Sequence, residues 1–388
     1  MHLFLNEEQK EIQELARQIA QEKVLPVRAE YDEKEIFPWD VLKVLASSDM
    51  FGLYIPEEYG GLGMGVTELC LVVEELSKAC GSIAVSYAAS ALGAFPILLS
   101  GTEEQKKKYL PDIAAGKKLA AFGLTEAGAG SDAGSIKTTA TKDGDFYILN
   151  GTKQWITNAG EAETYSVFAM TDKSKGARGA SAFIVEKGTP GFTFGKLENK
   201  LGIRSSATRE LIFDNCKVPA ENLLGGREGI GFIAAMKTFD TSRPGIAAQA
   251  VGIAQGAFDE ALKYTDERSQ FGKKIHEFQA IQHMLADMAT KIEAARQLTY
   301  LSADLVDKKF KGADKYSSMA KVYASDTAME VTTNAVQILG GYGYMKEYPV
   351  EKYMRDAKIT QIYEGTNQIQ RNVIANRLIR ENAMKHNK

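Results

Sequence analysis

Between about residues 118 and 226 the chain changes the period of its hydrophobic pattern, and nothing else in the sequence narrows the fold as much. On either side, apolar residues recur at helical spacing; inside, they alternate in short runs. Asp145-Phe146-Tyr147-Ile148-Leu149 leads into Asn150-Gly151, a pair that accepts the positive φ of a tight hairpin turn. Ala182-Phe183-Ile184-Val185, Phe192-Thr193-Phe194 and Glu210-Leu211-Ile212-Phe213 continue the style, with Gly and Asp at the breaks. The pattern predicts a middle antiparallel sheet domain, a barrel or sandwich, over 118–226. A helical domain over 1–117 precedes it and a helical bundle over 227–388 comes after it, so the class is α+β.

In the first helical zone, Asn6 and Gln9 form a capping box ahead of Ile12, Leu15, Ala16 and Ile19. Pro26 and Pro38 punctuate, Ile55 to Gly61 reads as a loop, and helices are expected near 66–79 and 82–99. Thr102 caps a charged stretch ending before Pro111. In the last zone, 245–268 is rich in Ala and Gln, with small residues spaced for tight helix packing. Stretches 277–310 and 314–339 would be roughly 50 Å and 40 Å long.

Composition excludes several function classes. A net charge of −3 gives no reason to expect nucleic acid or an anionic membrane as partner. Cys70, Cys80 and Cys216 are too scattered for a disulfide framework or a zinc site, and His2, His276, His283 and His386 lack metal-ligand spacing, so no metal is expected. Met1-His2-Leu3-Phe4 runs into acidic residues without the marks of a signal or transit peptide. The apolar runs read as short of a membrane span. A cytosolic bacterial enzyme, or a mature form already cleaved, is the expectation.

Three segments carry chemistry. Gly123 to Ser135 contains Gly128-x-Gly130-x-x-Ala133, a loose dinucleotide fingerprint that requires a strand before and a helix after. The next stretch, Ser135 to Thr141, is β-branched and alternating, so the Rossmann reading fails. The loop is either an ordinary hairpin connection or a set of free amides, with Thr125 and Ser131, around a phosphate or a polar ring edge. Trp155-Ile156-Thr157 is likewise a core tryptophan or a cover for a planar cofactor with a hydroxyl at its edge. Gln337-Ile338-Leu339-Gly340-Gly341-Tyr342-Gly343 ends a long helix with more glycine than a cap needs, which points to close approach by a ligand or another subunit.

The third segment, Gln361 to Arg371, puts Glu364 before a glycine turn and a helix start. Asn367 and Gln370 have capping-box spacing, and Ile369, Val373, Ile374 and Leu378 repeat at helical intervals. A carboxylate beside the free N–H groups of a helix start suits proton abstraction next to a carbonyl, where enolate-like charge must be held. A loop-end salt bridge is the plainer alternative.

Along essentially its whole length the chain resembles an acyl-CoA dehydrogenase of the short- and medium-chain type. Gly123–Ser135 and Gln337 through Lys352 and Asp356 match the family's two signature patterns, and Tyr363-Glu364-Gly365-Thr366 matches the segment carrying its catalytic base. The resemblance implies a helical domain, a β-domain and a four-helix bundle, usually in a homotetramer, with one FAD per subunit. It implies that Phe122, Leu124, Thr125, Gly130 and Ser131 line the flavin, with Trp155 against the ring and Ile156 and Thr157 beside its reactive nitrogen. Arg268, Phe271, Gln279, Gln337, Gly340 and Gly341 would meet the adenosine diphosphate portion, in this family across a subunit interface, and Thr366, Asn367 and Gln368 would also touch the cofactor. Ser131, Asp240, Ser242, Arg243 and Gly365 would contact the acyl-CoA.

The implied reaction has Glu364 remove the α-proton of the thioester while the β-hydrogen leaves as hydride, with electrons passing to an electron-transferring flavoprotein. The enolate oxygen would meet the Glu364 N–H and a ribityl hydroxyl of FAD, and burial should raise the Glu364 pKa. Other branches place the base on the helix around Asp240–Arg243; here Ser242 stands there and Glu364 is present. An oxidase, an enoyl-CoA reductase on the same fold and a non-catalytic scaffold are the alternatives. Small residues at Ala88, Ala89, Ser90 and Ala91 beside Tyr87, with Pro244 and Gly245, suggest room for more than a butyryl chain.

Overall fold

A capped helix opens the described part of the chain, residues 5–386 of a computed structural model. Met1–Phe4, on which the expectation of no leader rests, lie outside it. Helix α1 (Glu7–Ile19) starts as its box predicts: Asn6 Oδ1 accepts from Gln9 N at 2.8 Å and Gln9 Oε1 from Asn6 N at 3.1 Å. Helices α2 (Arg28–Lys34), α3 (Trp39–Ser47), α4 (Val66–Ala79), α5 (Gly81–Ser100) and α6 (Glu103–Ala114) come after it. Thr102 caps α6 as expected, but the helix runs through Pro111 instead of ending before it.

Seven strands come next: β1 (Ala120–Gly123), β2 (Thr139–Asp143), β3 (Phe146–Thr157), β4 (Thr164–Met170), β5 (Ala180–Glu186), β6 (Phe192–Phe194) and β7 (Thr208–Pro219). They form one sheet in the order β1-β4-β2-β3-β7-β6, with β5 also on β4. The sheet is mixed, not antiparallel, because β1 and β2 both pair parallel with β4. Parallel pairing needs a long crossover, and the excursion through the glycine loop and the β2–β3 hairpin supplies it. Asn150-Gly151 is not the hairpin turn. The β2–β3 turn is Gly144-Asp145, with Gly144 at φ 57° and Asp143 paired with Phe146. Asn150-Gly151 sits at a register shift inside β3, where the Asn150 carboxamide accepts from Asn215 N at 2.8 Å. Pairing of β3 on both sides outweighs the local turn preference.

The last zone holds α7 (Gly231–Glu267), a short β8–β9 ribbon (Ser269–Gln270 with Lys273–Lys274), α8 (Gln279–Asp307), α9 (Ala313–Leu339), α10 (Val350–Ala357) and α11 (Asn367–His386). Helix α7 begins fourteen residues before the Ala- and Gln-rich stretch at 245–268 and runs straight through Pro244. A helical proline leaves the carbonyl four residues back without its donor; here Ser317 Oγ on α9 donates to Asp240 O at 2.9 Å instead. Helix α7 is the spine of the fold, packing on α4, α5, α8 and α9. Its small residues make that possible: a Cβ at Gly252 would strike the Glu74 carbonyl, and one at Gly256 the Lys78 carbonyl.

Helix α5 is long and apolar enough to cross a membrane by length and composition, contrary to the sequence reading. It is instead a core helix. Ile83, Tyr87 and Ala94 are buried, and α5 lies between α4, α7 and β1.

Candidate active site

Glu364 sits half-buried in the connection between α10 and α11, in a conformation few non-glycine residues adopt. Its φ is 52° and that of Gly365 is 88°. Two successive left-handed residues hold only where the surroundings over-determine them. Here Arg243 Nε donates to Glu364 O at 3.2 Å, and Gln370 Nε2 donates to Glu364 O at 3.1 Å and Gly365 O at 2.8 Å. Lys321 Nζ donates to Gly365 O at 2.9 Å. The Glu364 N–H donates to no protein acceptor among the described residues.

The capping of α11 differs from the sequence reading by one residue. Thr366 Oγ1, not Asn367, accepts from Ile369 N at 3.3 Å. Asn367 is buried and points inward, accepting from Lys321 Nζ at 2.9 Å and donating to Asp326 Oδ1 at 2.7 Å. Gln370, expected as a cap partner, grips the Glu364–Gly365 loop instead.

Ser242 Oγ donates to Glu364 Oε2 at 2.5 Å. Burial pushes the Glu364 carboxyl up to about 7, against Ser242, Arg243 and Lys321, which favour the anion. Burial likewise draws Lys321 down to about 7 and pushes Asp240 up to about 6. A carboxylate poised near neutral pH, beside a free N–H, the Arg243 guanidinium and the Lys321 amine, can serve as a general base next to a place for developing negative charge. Arg243 is only 4% exposed, with its other donors on Asp240 Oδ1 at 3.2 Å and Ser318 Oγ at 3.4 Å, so it braces the loop. One turn after Ser242, Gly245 is buried yet a Cβ there would meet nothing within 4 Å, which marks open space facing the α7 surface. Tyr87 and Ser90 are engaged elsewhere: Tyr87 donates to Met50 O at 2.7 Å and Ser90 accepts from Ala120 N at 3.0 Å.

The glycine loop leaves β1 and is tied down from β3. Gln154 N donates to Thr125 O at 2.8 Å. Beneath it, Lys153 is fully buried, with Nζ 2.7 Å from Glu126 Oε1 and 3.1 Å from Leu124 O; Glu126 in turn accepts from Lys137 N and Thr138 N. Burial draws Lys153 down to about 8, and Glu126 opposes it. Gly128 and Gly130 have ordinary φ and open space where a Cβ would stand, so nothing inside the chain requires glycine there. Beside them β3 bulges between Lys153 and Ile156, which turns Trp155 to φ 57° and leaves it 59% exposed. Trp155 is therefore not a core residue. Ile156 is buried and Thr157 half-buried. Ser131 is exposed. Phe122 links this loop to the Glu364 site: its ring packs against Phe239 at 5.3 Å between centroids, tilted by 60°, and the Arg243 guanidinium lies over Phe239 at 5.6 Å.

The second glycine cluster lies at the far end of α9, about 27 Å along the helix from Lys321. A cavity of about 470 Å³ opens there, lined by Arg268, Gly340 and Gly341 with Tyr264 and Tyr342. Gly340 has φ 60° and ψ −135°, a conformation reserved for glycine. Gln279 and Gln337 lie outside the lining, and Phe271 is 93% exposed. Gln368 is exposed at the start of α11. Bare backbone in both glycine segments, an exposed tryptophan and a cavity with an arginine suit a long planar, phosphate-bearing cofactor. Among the described residues no group of three or more His, Cys, Asp or Glu could hold a metal.

Family models for the N-terminal, middle and C-terminal domains of acyl-CoA dehydrogenases match residues 6–117, 121–216 and 229–379. The chain belongs to the acyl-CoA dehydrogenase family. Membership makes it an FAD-dependent oxidoreductase acting on acyl-CoA. It is 49% identical over 381 residues to the short-chain-specific acyl-CoA dehydrogenase of Clostridium acetobutylicum, covering 98% of this chain and 100% of that one. The structure of butyryl-CoA dehydrogenase from Megasphaera elsdenii aligns with a TM-score of 0.95 and 49% identity, over 98% of this chain and 100% of that one. A chain from a structure described as an electron transferring flavoprotein of Acidaminococcus fermentans aligns with a TM-score of 0.96 and 53% identity, over 98% and 100%. These likenesses support the three-part fold and the short-chain resemblance.

Sequence reasoning missed Lys321, Gln370 as a loop clamp, and the Lys153–Glu126 pair. Lys321 carries a faint signal, a lone lysine between Ala320 and Ala324 in a helix segment of small residues.

Proposed function

We propose that this acyl-CoA dehydrogenase carries out α,β-dehydrogenation of an acyl-CoA thioester to the trans-2-enoyl-CoA, with Glu364 as the α-proton base. The observation that carries the reading is the Glu364 carboxyl itself, pushed up to about 7 by burial, 2.5 Å from Ser242 Oγ and held on a doubly left-handed loop. In its anionic form Glu364 takes the α-proton. Its own N–H, free of protein acceptors among the described residues, donates to the thioester oxygen as negative charge develops there. The open space at Gly245 receives the acyl chain close to the thioester, while Asp240 and Ser131 would contact the CoA portion.

FAD, when bound, supplies the hydride acceptor. Thr125, Gly130, Ser131 and the Trp155–Thr157 bulge would hold its ring system, and Arg268, Gly340 and Gly341 would meet its diphosphate end across a subunit interface. Phe271, Leu201 and Ile379 are 93%, 65% and 66% exposed. The homotetramer is what the family resemblance implies, and these side chains are available for burial against other copies in it. The Acidaminococcus fermentans likeness supports an electron-transferring flavoprotein as electron acceptor. We place the enzyme in the cytoplasm, in fatty-acid β-oxidation or the equivalent handling of short acyl-CoAs.

The test is anaerobic bleaching of the bound flavin by a panel of acyl-CoAs of different length and branching. Straight short chains should bleach it within seconds. A flavin that no acyl-CoA reduces, but an enoyl-CoA reoxidises rapidly after chemical reduction, would sink the dehydrogenation reading.

A further inference from the structure

Helix α9 carries a lysine that proton abstraction by Glu364 does not by itself require. Lys321 is fully buried, and its Nζ lies 2.9 Å from Gly365 O and 2.9 Å from Asn367 Oδ1. Both acceptors are neutral. Burying an ammonium costs several kcal/mol unless another charge or well-placed dipoles offset it, and a neutral amide could serve two oxygens at far lower cost. A lysine at this position therefore needs a reason, and the acceptors indicate it. They stand one and three residues after Glu364, on the loop whose other carbonyl is held by Arg243.

We propose that Lys321 is a positioning residue for the base. Its ammonium, fixed on the Gly365 carbonyl and the Asn367 carboxamide, holds the Glu364–Gly365 pair in its left-handed shape. Beside Arg243, it supplies the second positive charge that lets Glu364 ionise. The inference rests on the reading of Glu364 as base.

The charged groups facing Lys321 come from four elements. They are Glu364 on the loop, Arg243 on α7 with Asp240 paired to it, Asp326 on α9, and Arg371 on α11, which pairs with Asp326 at 2.7 Å. Burial is the largest influence on Lys321; Glu364 and Asp326 favour its charge and Arg243 opposes it. Lys321 and Glu364 thus titrate in one window, and the charge of each is felt by the other.

The experiment uses Lys321→Met in the FAD-loaded protein. Anaerobic flavin reduction is followed from about pH 6 to about pH 9, alongside an infrared titration of the Glu364 carboxyl, identified as the band missing from Glu364→Gln. Removing a neighbouring opposite charge should raise both midpoints by about one pH unit. Reduction should then fall about fivefold at pH 7 and recover by about pH 9. Asp326→Asn keeps the shape of a half-buried side chain and leaves Lys321 in place; by weakening the charge on Lys321 it should move both midpoints the same way by a smaller amount. A uniform loss at every pH with the infrared midpoint unmoved, in both variants, would make Lys321 merely structural and overturn the proposal. Near-normal reduction by Glu364→Gln would instead remove the base reading, while the carboxyl titration would still report on Lys321.

Discussion

Glu364→Gln couples catalysis to stability, and the size of both effects follows from one desolvated carboxyl. Folding raises the pKa of Glu364 from 4.5 to about 7. Each unit corresponds to about 1.4 kcal/mol, so the ionised form carries a folding penalty of up to about 3 kcal/mol. Glu364 is half-buried, and solvent screening reduces that to about 1–2 kcal/mol. The sign is that of a group with a raised folded-state pKa. Its favourable contribution is complete below pH 4.5, falls as pH rises, and is gone above about 7. Glutamine keeps the volume and can still accept from Ser242, but has no charge to desolvate. At pH 8 the variant should therefore be more stable than the wild type, by about 1–2 °C in thermal midpoint on that energy. At pH 5 the gain should largely vanish, because the wild-type carboxyl is already protonated. Flavin reduction by acyl-CoA should meanwhile fall roughly 10²–10⁴-fold, the range for a positioned general base. The assays are thermal unfolding of the FAD-loaded protein at both pH values and anaerobic stopped-flow bleaching. An equal midpoint difference at both pH values would refute the desolvation argument, and near-normal bleaching would refute the role of base.

Three further outcomes rest on named contacts. Ser242→Ala removes a hydrogen bond to the Glu364 anion, so the midpoint of the rate–pH profile should rise by about one unit; an unchanged profile would mean the short contact does not favour the anion. Lys153→Met leaves Glu126 buried without its cation under the glycine loop and should cost about 3–5 kcal/mol, with FAD released in gel filtration; full FAD content at wild-type stability would contradict that. Gly252→Ala puts a Cβ against the Glu74 carbonyl where α7 crosses α4 and should lower stability by about 1–3 kcal/mol in urea unfolding; a neutral result would show that the two helices can separate freely.

Sequence alone determined the order of helix, sheet and helix, because hydrophobic period is a local property. It also determined the capped starts of α1 and α6, and it picked out Glu364, because a carboxylate before a glycine turn and a helix start is a short contiguous pattern. Tertiary structure decided what lies across the chain. Asn150-Gly151 became a bulge because β2 and β7 both pair with β3. Pro244 stayed inside α7 because Ser317 satisfies the carbonyl it strands. Trp155 left the core because a register slip against β7 turned its backbone over. The poise of Glu364 likewise depends on Ser242, Arg243 and Lys321, which are 122, 121 and 43 residues away in sequence. Desolvation and the placement of opposite charge are sums over neighbours in space, so no stretch of sequence contains them.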